Sequence, residues 1–186
     1  IPDYSRDYMV VADVARGDGN DYSAFHVFDI EEATQVAEYK AQVQTKDYGN
    51  LLFAIATEYN DALLVVENAN IGWAVIQQLI DRGYRNLYYS PKMDVSMTNA
   101  DQYLSRYENS QGMVPGFTTS MKTRPLVVSK MVSYLHEKSV TLRSKRLLEE
   151  LRTFVWKNGK AQALSGYNDD LTMALGIGMF LRDTAL

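Results

Sequence analysis

The pattern of hydrophobic and polar positions in the first part of the chain is typical of short β-strands joined by turns. Residues 8–14 form an apolar run rich in β-branched side chains, which predicts a buried strand. Residues 16–21 hold two glycines and an Asn-Asp pair, so a turn is predicted there. Two more short strands are predicted at residues 23–28 and 34–39. The chain is therefore expected to begin as a three-stranded antiparallel meander.

The apolar spacing then changes from that of strands to that of helices. Apolar side chains recur at helical spacing between positions 51 and 59, which predicts a helix that ends at the following Asn-Asp pair. Residues 62–66 predict another buried strand. A helix capped by Asn70 and ending at Gly83 follows, and a further strand is predicted at residues 86–89.

The middle of the chain contains a long segment without clear periodicity. Residues 90–121 are polar and irregular, with a short helix predicted around residues 100–108. A loop of that length is more often functional or mobile than accidental. A regular helix is predicted again at residues 125–137, with Pro125 in the first turn, where its missing N–H does no harm.

The last part of the chain predicts a hairpin between two helices. A short strand is predicted at residues 140–142, a helix at residues 147–154, and a hairpin whose turn lies at residues 157–160. An amphipathic helix at residues 169–181 follows. Three strands, then alternating helices and strands, and then helices predict an α/β fold with a mixed sheet flanked by helices.

Composition narrows the class of protein. The chain has 186 residues, of which 46% are hydrophobic, so it can bury a core as one soluble domain. It contains no Cys, which excludes disulfides, Cys-bound zinc and thiol nucleophiles. No apolar run is long enough to cross a bilayer, and no targeting segment is expected. Because the first residue is Ile1 and not an initiator Met, we expect a part of a larger protein.

Four carboxylates stand out by their positions. Asp13 interrupts the first predicted strand, Glu67 follows the strand at residues 62–66, and Asp169 and Asp170 open the last helix. If the two strands are neighbours, Asp13 and Glu67 share one end of the sheet. Converging carboxylates raise one another's pKa unless a cation neutralises them, and Mg²⁺ or Mn²⁺ suits an all-oxygen site. Taken singly, each acid is also compatible with a turn, an ion pair or a helix cap.

The order of these acids along the chain is the pattern of ribonuclease H-like nucleases. Four segments carry a closer resemblance: ADVARGDG around Asp13, LLVVENANIG around Glu67, GFTTSMKTRP at residues 116–125, and SGYNDDL at residues 165–171. Together they resemble the nuclease domain of the large terminase subunit of T4-like tailed bacteriophages. The resemblance covers essentially the whole chain.

The resemblance implies an endonuclease that cuts concatemeric double-stranded phage DNA before and after the capsid is filled. It implies a place in the cytoplasm of the infected host, at the capsid portal, with the portal protein and the small terminase subunit as partners. Residues 1–186 would be a single nuclease domain, joined in the full protein to an N-terminal ATPase domain. The chain has no G-x-x-x-x-G-K-[ST] phosphate loop, so we expect it to cut DNA but not to hydrolyse ATP.

The resemblance also assigns roles to the acids. Asp13 and Glu67 match the first two acids of the family triad, and the third falls on Asp169, with Asp170 as an additional metal ligand. Two Mg²⁺ or Mn²⁺ ions would be bridged by Asp13 and held on either side by Glu67 and Asp169.

The net charge of −4 hides a strong division along the chain. Residues 1–70 carry 4 basic and 13 acidic side chains, whereas residues 122–160 carry 10 basic and 3 acidic ones. The basic segment is predicted to be the surface that contacts DNA phosphates. For any single residue in it, the alternative is that the side chain only lies on a solvated helix face. The predicted DNA-binding residues are Lys122, Arg124, Arg143, Lys145, Arg146, Lys157 and Lys160. No base-reading motif occurs, so we expect weak sequence preference.

Other hypotheses stay open on the sequence alone. The chain could be another ribonuclease H-like protein, such as a junction resolvase or an ATP-binding actin-like domain. It could also be a non-catalytic module that docks the packaging motor on the portal. Asp18 and Asp21, on the turn after Asp13, either assist through water or are solvated turn residues. His26 either helps at the metal site or packs in the core.

Overall fold

A mixed four-stranded sheet with helices on both faces forms the centre of the protein. The computed structural model describes residues 1–17, 19, 21–69, 71–92 and 105–186. No helix among these residues is long and apolar enough to span a membrane.

The strands form one central sheet and two small hairpin-like pairs. They are β1 (Tyr8–Asp13), β2 (Ser23–Asp29), β3 (Thr34–Ala41), β4 (Leu63–Val66), β5 (Tyr89–Pro91), β6 (Met113–Pro115), β7 (Phe154–Lys157) and β8 (Lys160–Ala163). The central sheet has the order β3-β2-β1-β4, and β5-β6 and β7-β8 are separate antiparallel pairs. In the central sheet β1 pairs antiparallel with β2 and parallel with β4.

Five α-helices and one short 3₁₀ helix complete the described part of the chain. They are α1 (Thr45–Glu58), α2 (Gly72–Asp81), α3 (Thr123–His136), α4 (Lys145–Arg152), α5 (Asp170–Ala185) and the 3₁₀ helix Ser105–Tyr107. The predicted mixed sheet flanked by helices is confirmed.

Alternation along β1 builds a core on each side of the sheet. Val10 and Ala12 pack with residues of α1 and α2 on one face, whereas Met9 and Val11 pack with residues of α3 and α5 on the other. All four side chains are fully buried, which explains why β1 is a continuous apolar run and not an alternating one. The last helix, α5, covers the second face and is buried along most of its length.

Two predicted strands are shorter or displaced in the structure. Instead of a strand at residues 86–89, Leu87 forms a single parallel bridge with Leu64 of β4, and the strand β5 begins at Tyr89. The chain makes hydrogen bonds with Leu64 from both sides of Leu87 and then turns away to pair with β6, which lies in the segment predicted to be irregular. Likewise, residues 140–142 form only one bridge, between Thr141 and Thr34.

Helix ends differ from the predictions by a few residues. The helix predicted at residues 147–154 is α4, which starts earlier because Ser144 caps it by accepting a hydrogen bond from the backbone N–H of Leu147. Phe154 belongs to β7. Asn70, the predicted cap of α2, and residues 100–104 of the predicted short helix lie outside the described residues.

Candidate functional site

Asp13 and Glu67 come together because β1 and β4 are parallel neighbours. Asp13 is the last residue of β1, and Glu67 follows directly on β4. The backbone N–H of Glu67 donates to the carbonyl of Ala12 at 3.0 Å, which extends the pairing to the ends of both strands. The carboxyl ends of parallel strands lie at the same sheet edge, so the two carboxylates are neighbours, as the sequence predicted.

The segment after Glu67 is held in place by close backbone packing. A Cβ atom at Gly72 would lie 1.8 Å from the carbonyl oxygen of Glu67, so only glycine fits at the start of α2. Asn68 is buried, donates from Nδ2 to the carbonyl of Pro115 at 3.1 Å, and accepts from the Thr118 hydroxyl at 3.0 Å. These contacts fix the backbone that carries Glu67.

Asp169 and Asp170 reach the same region from the start of α5. Asp169 is the N-cap residue, but its side chain makes no capping hydrogen bond. Its Oδ2 atom instead accepts from Nη2 of Arg124 at 3.0 Å. In Asp170, Oδ2 is buried and has no hydrogen-bond partner, and the ammonium of Lys40 lies 3.8 Å away. The simple helix-cap interpretation of this pair is therefore wrong for the side chain of Asp169.

Asp13 is the carboxylate on which burial and the neighbouring negative charges act most strongly. Burial raises the pKa of Asp13 well above its ordinary value, and the charges of Glu67 and Asp170 raise it further. A hydrogen bond with Glu67 and the charge of Asp169 act on the pKa of Asp13 in the same direction. Burial likewise raises the pKa of Asp170 to about 7, partly offset by Lys40. Asp13 is thus the point on which the carboxylates converge.

This donor set fits a hard divalent cation. All the side chains offer oxygen atoms, which Mg²⁺ and Mn²⁺ prefer, and a cation would relieve the repulsion that raises the pKa of Asp13. The buried, unpartnered Oδ2 of Asp170 is a further free ligand atom. Among the residues that the structure describes, however, no three acidic or histidine side chains are already gathered around one metal position. Asp18 lies outside the described residues, whereas Asp21 is near enough for its charge to raise the pKa of Asp170.

Glu150 and Lys40 support the start of α5, and the sequence analysis missed both. The Oε1 atom of Glu150 accepts from the backbone N–H of Thr172, in the first turn of α5, at 3.0 Å. Its Oε2 atom accepts from the ammonium of Lys40 at 2.5 Å, and both side chains are largely buried. A carboxylate from a different helix therefore caps the helix that carries Asp169 and Asp170. The available signal is that Glu150 lies three residues after the buried Leu147, on the same face of α4.

His26 packs in the core and holds two elements together. Its Nε2 lies 2.8 Å from the carbonyl of Leu171, and its Nδ1 lies 2.7 Å from Nε2 of Gln35. The Oε1 atom of Gln35 already accepts from the backbone N–H groups of Arg143 and Ser144. The Gln35 amide nitrogen is therefore the donor to Nδ1, and His26 donates from Nε2 to Leu171. Its interpretation as a packed histidine is correct.

The predicted DNA-binding residues lie in three places with different surroundings. Arg124 donates from Nε and Nη2 to the carbonyl of Ala161 in addition to its contact with Asp169. Arg146 makes a two-pronged pair with Glu38 and donates to the carbonyl of Lys40. The remaining five, which are exposed, are Lys122 before α3, Arg143 and Lys145 at the start of α4, and Lys157 and Lys160 at the β7-β8 turn. The structure therefore engages Arg124 and Arg146 within the fold.

Comparison with known proteins places this architecture among phage nucleases. No family model matches the chain. Among solved structures, the large terminase nuclease from thermophilic phage G20c with bound magnesium superposes with a TM-score of 0.71 and 19% identity, over 96% of this chain and 82% of that chain. The same nuclease with bound zinc gives 0.64 and 18%, over 95% and 81%. The nuclease domain of the large terminase of Thermus phage P74-26 gives 0.68 and 20%, over 95% and 80%. The chain therefore has the fold of these large terminase nuclease domains.

Proposed function

We propose that this chain is a metal-dependent endodeoxyribonuclease that cuts double-stranded phage DNA during genome packaging. The observation that carries the proposal is the meeting of Asp13 and Glu67 at one edge of the sheet, with Asp169 and Asp170 near enough for their charges to raise the pKa of Asp13. The fold supports it, because the similar solved structures are terminase nucleases, and some of them hold magnesium, cobalt or zinc.

The four acids supply the metal ligands in the proposed chemistry. Asp13, Glu67 and Asp169 would hold two Mg²⁺ or Mn²⁺ ions, and Asp170 would offer an additional ligand atom. Bound there, such ions supply activation of a water molecule and stabilisation of the leaving 3′ oxygen in phosphodiester hydrolysis. Asp169 is the proposed third member of the triad because its carboxylate makes no capping hydrogen bond.

The remaining side chains position the acids and the substrate. Glu150 fixes the first turn of α5 through the backbone of Thr172, so the two aspartates have a defined place. Lys122, Lys157 and Lys160 are exposed and would contact phosphates, which orients the DNA backbone without reading bases. We infer that cutting has weak sequence preference, as termination by capsid fullness requires.

The biological setting follows from the same proposal. Residues 1–186 would form the nuclease domain of a large terminase subunit whose N-terminal domain is the packaging ATPase. The portal protein and the small terminase subunit would be its partners, and its place of action the cytoplasm of the infected host, at the capsid portal. Membership of the T4-like group rests on the sequence motifs alone and stays a prediction.

Cleavage of supercoiled plasmid with Mg²⁺ or Mn²⁺ tests the proposal. Asp13→Asn, Glu67→Gln and Asp169→Asn should each lower the rate by at least about a hundredfold, since each removes a charged ligand of the proposed ions. Asp170→Asn separates the two adjacent aspartates and should have a smaller effect. Asp61→Asn, on an exposed turn after α1, is the matched acid-to-amide control and should cut like the wild type.

Two outcomes would contradict the proposal. Undiminished cutting by Asp13→Asn would exclude the carboxylate cluster as the nuclease site. The absence of cutting by wild type with either metal, together with DNA-independent binding to the portal protein, would favour the non-catalytic docking module.

A further inference from the structure

A cleft of about 560 Å³ lies between the start of α3 and the β7-β8 hairpin. None of the four carboxylates of the candidate site lines it. Residues that line it include Thr119, Met121, Arg124, Trp156, Lys160 and Ala161. The cleft is next to the proposed active site because Arg124, which lines it, reaches Asp169 at 3.0 Å.

The cleft presents a flat aromatic surface to solvent. Trp156 is 66% exposed, although a tryptophan is normally among the more buried side chains. It pairs directly with Ala161 across the hairpin, so both side chains lie on the same face, and Ala161 lines the cleft. Met121, which is 96% exposed, adds a second apolar group.

The polar groups of the cleft are suited to an anion. Lys160 lines it with an exposed ammonium, and none of the described lining residues is acidic. Arg124 also lines it, but its guanidinium is already bound to Asp169 and to the carbonyl of Ala161. Lys122 and Lys157 directly follow the lining residues Met121 and Trp156 in the sequence, and both are exposed. The Thr119 hydroxyl is buried and has no hydrogen-bond partner, so the wall keeps an unused polar atom. An apolar flat surface among cations is the combination that binds single-stranded nucleic acid.

The exposed Trp156 among cations indicates whether the bound nucleic acid is paired or unpaired. In an intact duplex the faces of the bases are covered by stacking, so Trp156 could stack only on a base that is unpaired. A protein partner with an acidic surface could meet the cations, but an exposed tryptophan beside a phosphodiester-cutting site favours nucleic acid.

We propose that this cleft binds an unpaired stretch of the DNA strand next to the cleavage site, with one base stacked on Trp156 and the adjoining phosphates near Lys160 and Lys122. The inference rests on the proposed function and deepens it, because it makes locally opened DNA the preferred substrate. Duplex ends or partly melted segments would then be cut more readily than relaxed, fully paired DNA.

The experiment measures binding, not cutting. Fluorescence anisotropy of a labelled oligothymidylate and of a labelled blunt duplex is followed in the Asp13→Asn background with Mg²⁺, with and without a change at Trp156. Trp156→Ala should weaken binding of the single strand by roughly tenfold, since stacking on an aromatic side chain contributes strongly to single-strand affinity. Duplex affinity should change by less than about twofold, because duplex contacts run through phosphates.

Two further variants keep the result interpretable. Trp156→Phe retains an aromatic face and should recover most of the single-strand affinity, which a folding defect would not allow. Tyr4→Ala removes another exposed aromatic side chain, 68% exposed near the start of the chain, and should leave both affinities unchanged.

The outcomes separate this inference from the proposed function. Equal single-strand affinity for Trp156→Ala and its parent, or an equal loss on the duplex, would overturn the cleft proposal while plasmid cutting stands. A lack of plasmid cutting by the wild type would overturn the nuclease proposal, but it would leave the anisotropy result unaffected. A parent protein that does not bind oligothymidylate at all would likewise overturn the cleft proposal.

Discussion

Arg124 is the residue at which the candidate site and the hairpin meet. Its guanidinium donates twice to the carbonyl of Ala161 in β8 and once to Asp169 at the start of α5. Its side chain is only 20% exposed, so these contacts are partly shielded from solvent. The sequence predicts a phosphate contact for Arg124. In the structure its guanidinium instead forms an ion pair with Asp169, a carboxylate proposed as a metal ligand.

Removing this charge should strengthen metal binding. In Arg124→Ala, Asp169 loses a cation that competes for the same oxygen, so Mn²⁺ should bind about fivefold more tightly, equivalent to on the order of 1 kcal/mol. Isothermal titration calorimetry measures the affinity directly. Lys122→Ala is the control, because it removes a nearby exposed cation that does not contact Asp169. Weaker Mn²⁺ binding in Arg124→Ala would mean that the arginine positions Asp169 and does not compete for it.

At the scale of elements, a network of buried hydrogen bonds joins strands β2 and β3 to α5 and to the start of α4. His26 on β2 contacts Leu171 of α5, Gln35 on β3 contacts His26, and Gln35 also accepts from the residues before α4. In this network Nδ1 of His26 can accept the hydrogen bond from Gln35 only when the imidazole is neutral. Burial accordingly lowers the pKa of His26 to about 4.

This arrangement predicts loss of stability in acid. Below the ordinary histidine pKa the unfolded chain takes up a proton at His26 that the folded protein does not accept until near pH 4. The contribution to the free energy of unfolding should therefore be full at pH 7 and about 2 kcal/mol lower at pH 5. Urea unfolding of wild type and His26→Gln, followed across this range, measures it.

The comparison of wild type with His26→Gln isolates the contribution of His26 to the pH dependence of stability. Asp13 and Asp170 have raised pKa values, so their titration changes stability with the opposite sign, but both proteins contain them. The stability difference between wild type and His26→Gln should thus shrink as the pH falls. A difference that stays constant from pH 7 to pH 5 would show that folding does not lower the pKa of His26.

Local patterns predicted the elements well where periodicity was strong and the partners were near in sequence. The β1 run and the helical spacing of α1 and α5 sufficed for these elements. Residues 86–88 and 140–142 have the composition of strands, but each segment forms a single bridge, since only one residue pair meets its neighbour before the chain turns away. That depends on tertiary geometry, which no local window contains.

At the scale of the whole molecule, the candidate site could be predicted because its acids lie at the ends or starts of recognisable elements. Asp13 and Glu67 follow from two buried strands, and Asp169 from a helix start. Lys40 and Glu150 could not be predicted, because they lie 110 positions apart and meet only in the folded protein. Arg124 and Arg146 were identified as basic, but sequence does not reveal that carboxylates of the same chain engage them.

The division of charge along the chain gives a prediction for DNA binding. The affinity for duplex DNA should fall steeply with salt, and Lys122→Ala with Lys160→Ala should reduce the slope of log K against log[salt] by about 2, as expected for two lost phosphate contacts. Fluorescence anisotropy at several salt concentrations measures the slope. Lys130→Ala is the control, because its ammonium pairs with Asp183 at 2.7 Å. An unchanged slope in the double variant would remove this surface from the proposed DNA path.

The position of α5 has a consequence for the order of events during synthesis. This helix packs against β1 and β2, and the two aspartates at its start lie far after Asp13 and Glu67 in the sequence. Asp13 and Glu67 emerge from the ribosome long before them. The carboxylate cluster therefore cannot assemble until the C-terminal helix has been translated and has docked, so a chain released early would carry the sheet without the complete site.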